Sequence, residues 1–404
     1  MNKPTLIIFT EGHPDIDTAF IAPELNVICK NFDRIVVYPT RWENKSNHFK
    51  FGVNVSLRSD LAEFVKSISS IQKKISGVCS SLFWTSILKI KPSKYKSLLN
   101  ACGYTKILAK WIEKLDFDKD STIFYSYWLL SPVLALSRLK EKRKIKYLIS
   151  RAHRFDLYNE EGDFIINFFK PCIFEKIDML YCISENGKQY LEKRYSKYAY
   201  KFTVSRLGTF NHFKTSPVIL NSLEIISCSS LSPVKRIDLL ISGIENFQNK
   251  FPSVPIKWTH TGGGPRLDSL INLAGQKLRA GTFYFTGTLS VVEIFDLYAT
   301  TKFSCFVNVS RSEGLPVSIM EAQSFGIPVI ATNVGGTSEI VNEENGLLLA
   351  SEPTPGEIAS AIHDVLINKD KWDKKRILSR RNWEEKFNAE TNYRIFANEL
   401  LSLV

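Results

Sequence analysis

FSCFVNVSRSEGLPVSIMEAQSFGIPVIATNVGGTSEIV, residues 303–341, is the stretch from which the rest of the chain can be read. Residues 305–309 are an apolar run of strand length. The polar turn 310–314 follows, and Pro316 stands where the first turn of a helix tolerates proline. Gly326 and Pro328 stop that helix, and residues 329–331 start the next strand. The segment therefore predicts strand, turn, helix, strand. Glu313 falls in the loop at the strand's carboxyl end, and Glu321 lies about one and a half turns into the helix, ~7 Å further along its axis.

A helix amino terminus, with its unbonded N–H groups and partial positive charge, seats a phosphate. A carboxylate before that seat and another beyond it would accept hydrogen bonds from hydroxyls on both sides of a diphosphate, the layout of a nucleotide sugar. The spacing by itself also fits a glutamate favourable to the helix dipole followed by a solvated one. The longer run is more specific. Glu313, seven intervening residues and Glu321, then Gly326, Pro328 and the Gly335-Gly336 pair, resemble the donor-binding segment of retaining glycosyltransferases with the GT-B fold, family 4. The resemblance implies two Rossmann-like α/β domains facing across a cleft, with a C-terminal helix crossing back to the N-terminal domain. It places Glu313 on the transferred sugar and Glu321 on the ribose. The backbone of Gly314, Leu315, Pro316 and Val317 would serve the sugar and phosphates.

Length agrees with two domains, since one core rarely grows past ~250–300 residues and the chain has 404. The expected division is 1–210 for an acceptor domain, 211–385 for a nucleotide-sugar domain and 386–404 for the returning helix. No apolar run approaches the ~18 residues of a membrane span, and LIIF near the amino terminus reads as a first strand. Seven cysteines, odd in number and without a Cys-x-x-Cys pair, suit reduced thiols in a cytoplasmic protein. Charge is lopsided. Residues 1–210 hold 34 Lys+Arg and 21 Asp+Glu, a net of +13, whereas the remainder holds 19 and 20. An anionic partner is expected for the first half alone.

Within that half, strands are expected at 5–10 and 34–38 with a helix over 20–30. The loop after the first strand carries Gly12, which the resemblance brings near the donor and acceptor. Residues 124–132 read as a buried strand and a helix start, with Tyr125, Tyr127 and Trp128 as core. A strand over 146–150 leads to His153, which the resemblance sets against the transferred sugar. Residues 65–99 mix isoleucines at helical spacing with Phe83, Trp84 and many lysines. That pattern fits either surface helices packed on the sheet or an amphipathic face for an anionic membrane surface.

In the second half, strands are expected at 224–229, 256–260, 283–286 and 345–350, and a helix over 356–367. The family usually shows Gly-Arg-Leu, a gap and Lys after the first of these strands, the Arg and Lys gripping the diphosphate. Here Lys235 and Leu231 match, but Ser229 and Ser230 replace Gly-Arg. Ser230 donates a hydrogen bond without charge, and Lys235 neutralises the leaving phosphate. Asp15-Ile-Asp17 and Asp116-Phe-Asp118 echo a metal clamp of another glycosyltransferase fold, but their surroundings do not match it. No metal or other cofactor is expected.

The predicted activity is sugar transfer from a nucleotide donor, a UDP-sugar by preference, to a hydroxyl of a glycan or lipid-linked acceptor. Surface polysaccharide or glycoconjugate biosynthesis at the inner face of the membrane is the expected setting. A nucleotide-sugar epimerase and a non-catalytic sugar-nucleotide or nucleic-acid binder are the alternatives. The lysines are not interleaved with a nucleic-acid motif, so no nucleic-acid partner is expected.

Overall fold

A computed structural model of the protein describes residues 3–12, 21–42, 51–160, 164–211 and 223–404. The chain divides into two units, Met1–Arg206 with Tyr393–Val404, and Leu207–Asn392. Among the described residues the first unit carries seven parallel strands: β1 (Thr5–Thr10), β2 (Arg34–Pro39), β3 (Val55–Leu57), β4 (Thr122–Ser126), β5 (Tyr147–Ala152), β6 (Met179–Cys182) and β7 (Phe202–Val204). Their spatial order is β3-β2-β1-β4-β5-β6-β7, with Leu6 beside Ile35 on one flank and Ile123 on the other. Strands such as TLIIFT are apolar on both faces because helices cover both sides of a parallel sheet.

Helix α1 (Ile21–Ile28) joins β1 to β2. Between β3 and β4 the chain makes α2 (Asp60–Ser67), α3 (Ser70–Val78), α4 (Ser81–Ser86) and α5 (Tyr95–Ile112). The crossovers to β5, β6 and β7 are α6 (Ser131–Glu141), then α7 (Arg154–Leu157) with α8 (Phe164–Lys176), then α9 (Glu185–Arg194). Tyr125 and Tyr127 are buried and Trp128 nearly so, as core residues should be.

The second unit has six parallel strands among the described residues: β8 (Leu223–Cys228), β9 (Ile256–Thr261), β10 (Phe283–Phe285), β11 (Cys305–Asn308), β12 (Val329–Thr332) and β13 (Gly346–Leu349). Their order is β10-β9-β8-β11-β12-β13. The helices are α10 (Ile237–Lys250), α11 (Leu267–Lys277), α12 (Val291–Thr300), α13 (Val317–Ser324), α14 (Thr337–Ile340), α15 (Pro355–Ile367) and α16 (Lys369–Lys386). Trp258, Phe247, Ile241 and Ile362 fill the core between α10, α15 and the sheet. In both sheets the order reverses beside the first strand, between β1 and β4 and between β8 and β11, the switch points outside which open α/β sheets bind ligands.

The last helix, α17 (Ala389–Leu401), begins in the second unit, and its residues from Tyr393 onward belong to the first. A buried charge holds that segment. The Arg151 guanidinium lies 4.6 Å from the Phe396 ring centre, 3.0 Å from the Glu24 carboxylate and 2.7 Å from the Ser205 carbonyl it donates to. Burial raises the Glu24 carboxyl pKa, and Arg151 pulls against that rise. Arg151 is thus a structural tie rather than a solvent-facing cation.

Two expected helices over 65–99 are in fact the end of α2, then α3, α4 and the start of α5. Ile68 and Phe83 pack inward, but Ile71, Ile75 and Trp84 are exposed.

Candidate functional site

The loops that follow β8 and β11 flank the switch point of the second sheet. After β8, Ser229 donates its N–H to the Thr261 carbonyl and Leu231 to that of Gly263, which fixes the turn against the glycine loop. Ser230 is exposed, its hydroxyl 3.3 Å from that of Ser232. A short 3-10 turn, Pro233–Lys235, then aims Lys235 at the neighbouring loop. The Lys235 ammonium donates to Glu313 Oε1 at 2.6 Å.

Arg236, the next residue, has φ 49° and turns the opposite way. Its guanidinium donates to the carbonyls of Val309, Ser310 and Ser351 and to the Glu352 carboxylate. Arg236 is committed to bracing the β11 loop.

Asn308 ends β11 and organises that loop. Its Oδ1 accepts the Ser310 N–H at 2.9 Å, and its Nδ2 donates to Glu313 Oε1 at 3.2 Å. Glu313, 7% exposed, is therefore gripped by an ammonium and an amide. Behind it the chain doubles back. Gly336 donates to the Gly314 carbonyl, and a Cβ on Gly335 would sit 1.9 Å from the Glu313 carbonyl oxygen, at φ +53°. Only glycine meets both conditions cheaply.

Helix α13 begins at Val317 with Pro316 as its N-cap, and no side chain caps it. Gly314, Leu315 and Val317 offer N–H groups at this end. Pro316 has none, so the expected four-residue donor run reduces to three, and Pro316 contributes the φ that starts the helix. Glu321 lies on the first turns of α13, 8% exposed. Burial pushes its carboxyl pKa up to about 8. The Cys228 thiol and the buried Tyr298 hydroxyl are near enough for the Glu321 charge to raise their pKa values further. Neither glutamate is a solvated helix residue.

The remaining expected residues lie in the first unit. Gly12 follows β1, its carbonyl accepting from the Thr10 hydroxyl at 2.8 Å. His153 follows β5 and is buried, its ring 3.9 Å from that of Trp128. Asp156 accepts the His153 backbone N–H at 2.6 Å and that of Leu129 at 2.7 Å. Burial and the nearby Arg151 charge hold the imidazole pKa well below its usual value, so the ring is neutral at pH 7. Asp118 caps its own turn through Asp120 and Ser121, and Asp15 and Asp17 lie outside the described residues.

Asn308 escapes sequence reading, and Gly335 reads only as one of a glycine pair. A signal for Asn308 existed: it is the one amide in an apolar strand, placed where the turn begins.

Residues 210–385 match the family described as glycosyl transferases group 1. A GtfA subunit of UDP-N-acetylglucosamine–peptide N-acetylglucosaminyltransferase from Streptococcus parasanguinis is 26% identical over 216 residues, 51% of this chain and 41% of that one. A GDP-mannose-dependent alpha-(1-6)-phosphatidylinositol monomannoside mannosyltransferase from Mycobacterium tuberculosis is 28% identical over 152 residues, 36% of this chain. The chain thus spans about two-fifths of these relatives' length (41% and 39%). Among solved structures, Anabaena Alr3699/HepE in complex with UDP superposes with a TM-score of 0.67 at 16% identity, covering 100% of both chains. The protein has the GT-B fold, and its residues 210–385 match the model of the group 1 glycosyl transferases.

Proposed function

We propose that the protein is a retaining glycosyltransferase of the family 4 type, moving a sugar from a nucleotide diphosphate donor to a hydroxyl acceptor. The observation that carries this reading is the meeting of Lys235 and Glu313 beside the uncapped start of α13, at the switch point of the second sheet. In the proposed complex the diphosphate sits on the N–H groups of Gly314, Leu315 and Val317. Lys235 turns to its oxygens and offsets the negative charge that grows as the glycosidic bond breaks. Glu313, released from Lys235, accepts hydroxyls of the sugar, and Glu321 accepts those of the ribose. The transition state is oxocarbenium-like. Ser230 lies on the same loop as Lys235 and adds a hydroxyl donor. Gly12 and His153 enter through the resemblance alone.

A UDP-sugar is the favoured donor. The GtfA relative is named for UDP-N-acetylglucosamine and the HepE structure holds UDP, whereas the mannosyltransferase is named for GDP-mannose. The proposed acceptor is a glycan or lipid-linked chain at the cytoplasmic side of a membrane, in surface glycoconjugate assembly. A thermal-shift panel of UDP, GDP and their sugars tests the donor. A nucleotide at 100 times its Kd adds about 2.7 kcal/mol and raises the melting point by roughly 5–10 °C. The shift should vanish in Lys235→Gln. Absence of a shift with every nucleotide, or donor epimerisation without an acceptor, overturns the reading.

A further inference from the structure

Residues 64–112 contain nine lysines and not one aspartate or glutamate. The structure folds this stretch into a face with apolar residues at its centre. Helix α3 is a defined element, since Ser69 and Gln72 cap each other's backbone at its start. Its inner side is pressed onto α5 at Gly77 and Gly103. A Cβ on Gly103 would lie 1.7 Å from the Lys73 carbonyl, and one on Gly77 would lie 2.2 Å from that of Leu99.

The outer side carries Ile71, Ile75 and Val78 at i, i+4 and i+7, exposed by 65%, 61% and 50%. The stripe continues into α4. Trp84 donates its indole N–H to the Val78 carbonyl at 2.7 Å and rests edge-on against buried Phe83, leaving 58% of itself exposed. Leu88, in the next turn, is 92% exposed. Lys74, Lys89 and Lys91 are exposed among these residues. Five large apolar side chains held outward by a rigid helix pair are costly in water unless something covers them.

We propose that this face docks on an anionic lipid bilayer. The apolar stripe enters the boundary between headgroups and acyl chains, the indole sits at headgroup level, and the lysines meet lipid phosphates. Charge complementarity selects this occupant. A stretch of 49 residues with nine lysines and no carboxylate of its own repels basic partners and suits a dense anionic plane. The docking rests on residues of the first unit and is independent of the donor reading. In the setting proposed above, it brings the enzyme to lipid-linked acceptors.

The test is flotation of the full chain with vesicles of phosphatidylcholine alone and of phosphatidylcholine with about one-third phosphatidylglycerol. Binding to the anionic vesicles at low salt, and its loss at high salt, is expected. Each lysine near the surface is worth about five-fold, so the triple variant Lys74→Gln, Lys89→Gln, Lys91→Gln should weaken binding about 100-fold. Ile75→Ser and Leu88→Ser should each cost about ten-fold. All five positions are exposed or outward-facing, so melting temperature and the nucleotide-induced shift should stay as in the parent, which separates this result from any failure of the donor site. Brominated lipid should quench fluorescence in the parent more than in Trp84→Phe. No binding to anionic vesicles at low salt overturns the proposal, as does binding that both sets of variants leave unchanged. A dimer in light scattering that Ile75→Ser and Leu88→Ser convert to monomer overturns it too, by assigning the face to a second copy.

Discussion

Replacing Glu321 by Gln should make the free protein more stable and its site worse. The carboxyl has an ordinary value of 4.5 and, buried in α13, a value of about 8. A group whose folded pKa is raised binds more protons folded than unfolded, so stability falls as pH rises through the interval between the two values. From these two values the carboxyl costs about 1 kcal/mol at pH 5, about 3 at pH 7 and about 4 at pH 8. Glutamine cannot ionise. Whatever its packing contributes is the same at every pH, so the comparison between pH 5 and pH 8 isolates the ionisation.

Urea unfolding of parent and Glu321→Gln, followed through the second unit, should show the variant gaining about 3 kcal/mol on the parent between pH 5 and pH 8. The binding side runs opposite. If ribose hydroxyls donate to Glu321, nucleotide binding favours the carboxylate and expels a proton near pH 7. Calorimetry in buffers of different ionisation enthalpy should detect that proton in the parent and not in the variant, whose affinity should drop at least ten-fold. Parallel stability profiles for the two proteins from pH 5 to 8 would refute the reasoning, because they would mean that Glu321 is ionised and satisfied in the free protein.

The neighbouring residues give sharper local tests. Asn308→Asp sets a second carboxylate where an amide now donates to Glu313 at 3.2 Å. Turnover per KM should fall about 10–100-fold and recover in part as pH is lowered, with the fold retained in circular dichroism. Arg236→Ala strips the donor from three backbone carbonyls, two of them in the β11 loop, and chemical denaturation should record a loss of about 3 kcal/mol or more. Gly335→Ala drives a Cβ into the Glu313 carbonyl at a φ alanine disfavours, so both the melting temperature and the nucleotide-induced shift should drop.

The two sheets were legible because parallel strands buried on both faces read as unbroken apolar runs. β1, β2, β5, β8, β9, β10, β11, β12 and β13 all fall within a residue or two of the expected positions. The strands that escaped, β3 and β7, are three residues long and close the two edges of the first sheet, too short to show a period. The breaks between α2, α3, α4 and α5 also escaped: Ser69 caps the start of α3, whereas Ser80 precedes α4 without a side-chain cap. Glu313, Glu321 and Lys235 stood out through the resemblance to the family pattern. What the sequence does not display is which neighbour satisfies them. Lys235 and Arg236 are adjacent and chemically alike, yet one meets Glu313 and the other braces carbonyls behind it. The left-handed backbone at Arg236 decides that division, and nothing in the order of residues announces it.

That division bears on how a diphosphate would be held without the family's arginine. The basic side chains of the surrounding loops already have carboxylate partners: Arg236 and Arg311 meet Glu352, and Arg266 lies 3.5 Å from Asp238. Lys235 has one too, but its partner is the residue proposed to receive the sugar. Binding therefore has to break the Lys235–Glu313 pair and give each partner a new one at the same time. A nucleoside diphosphate without sugar satisfies Lys235 and leaves a nearly buried carboxylate with the Asn308 amide but no cation, whereas a free sugar satisfies Glu313 and leaves the ammonium without its carboxylate. Only the intact donor replaces both halves of the bond it disrupts. The consequence is a coupling of roughly 1–3 kcal/mol, so the intact donor should bind about 10–100-fold more tightly than the sum of its parts implies. In Glu313→Gln, where no charge is left stranded, calorimetry should show nucleoside diphosphate gaining affinity while the intact donor loses its advantage. Equal donor-to-diphosphate ratios in parent and variant would show that the pair is not what the donor exchanges against.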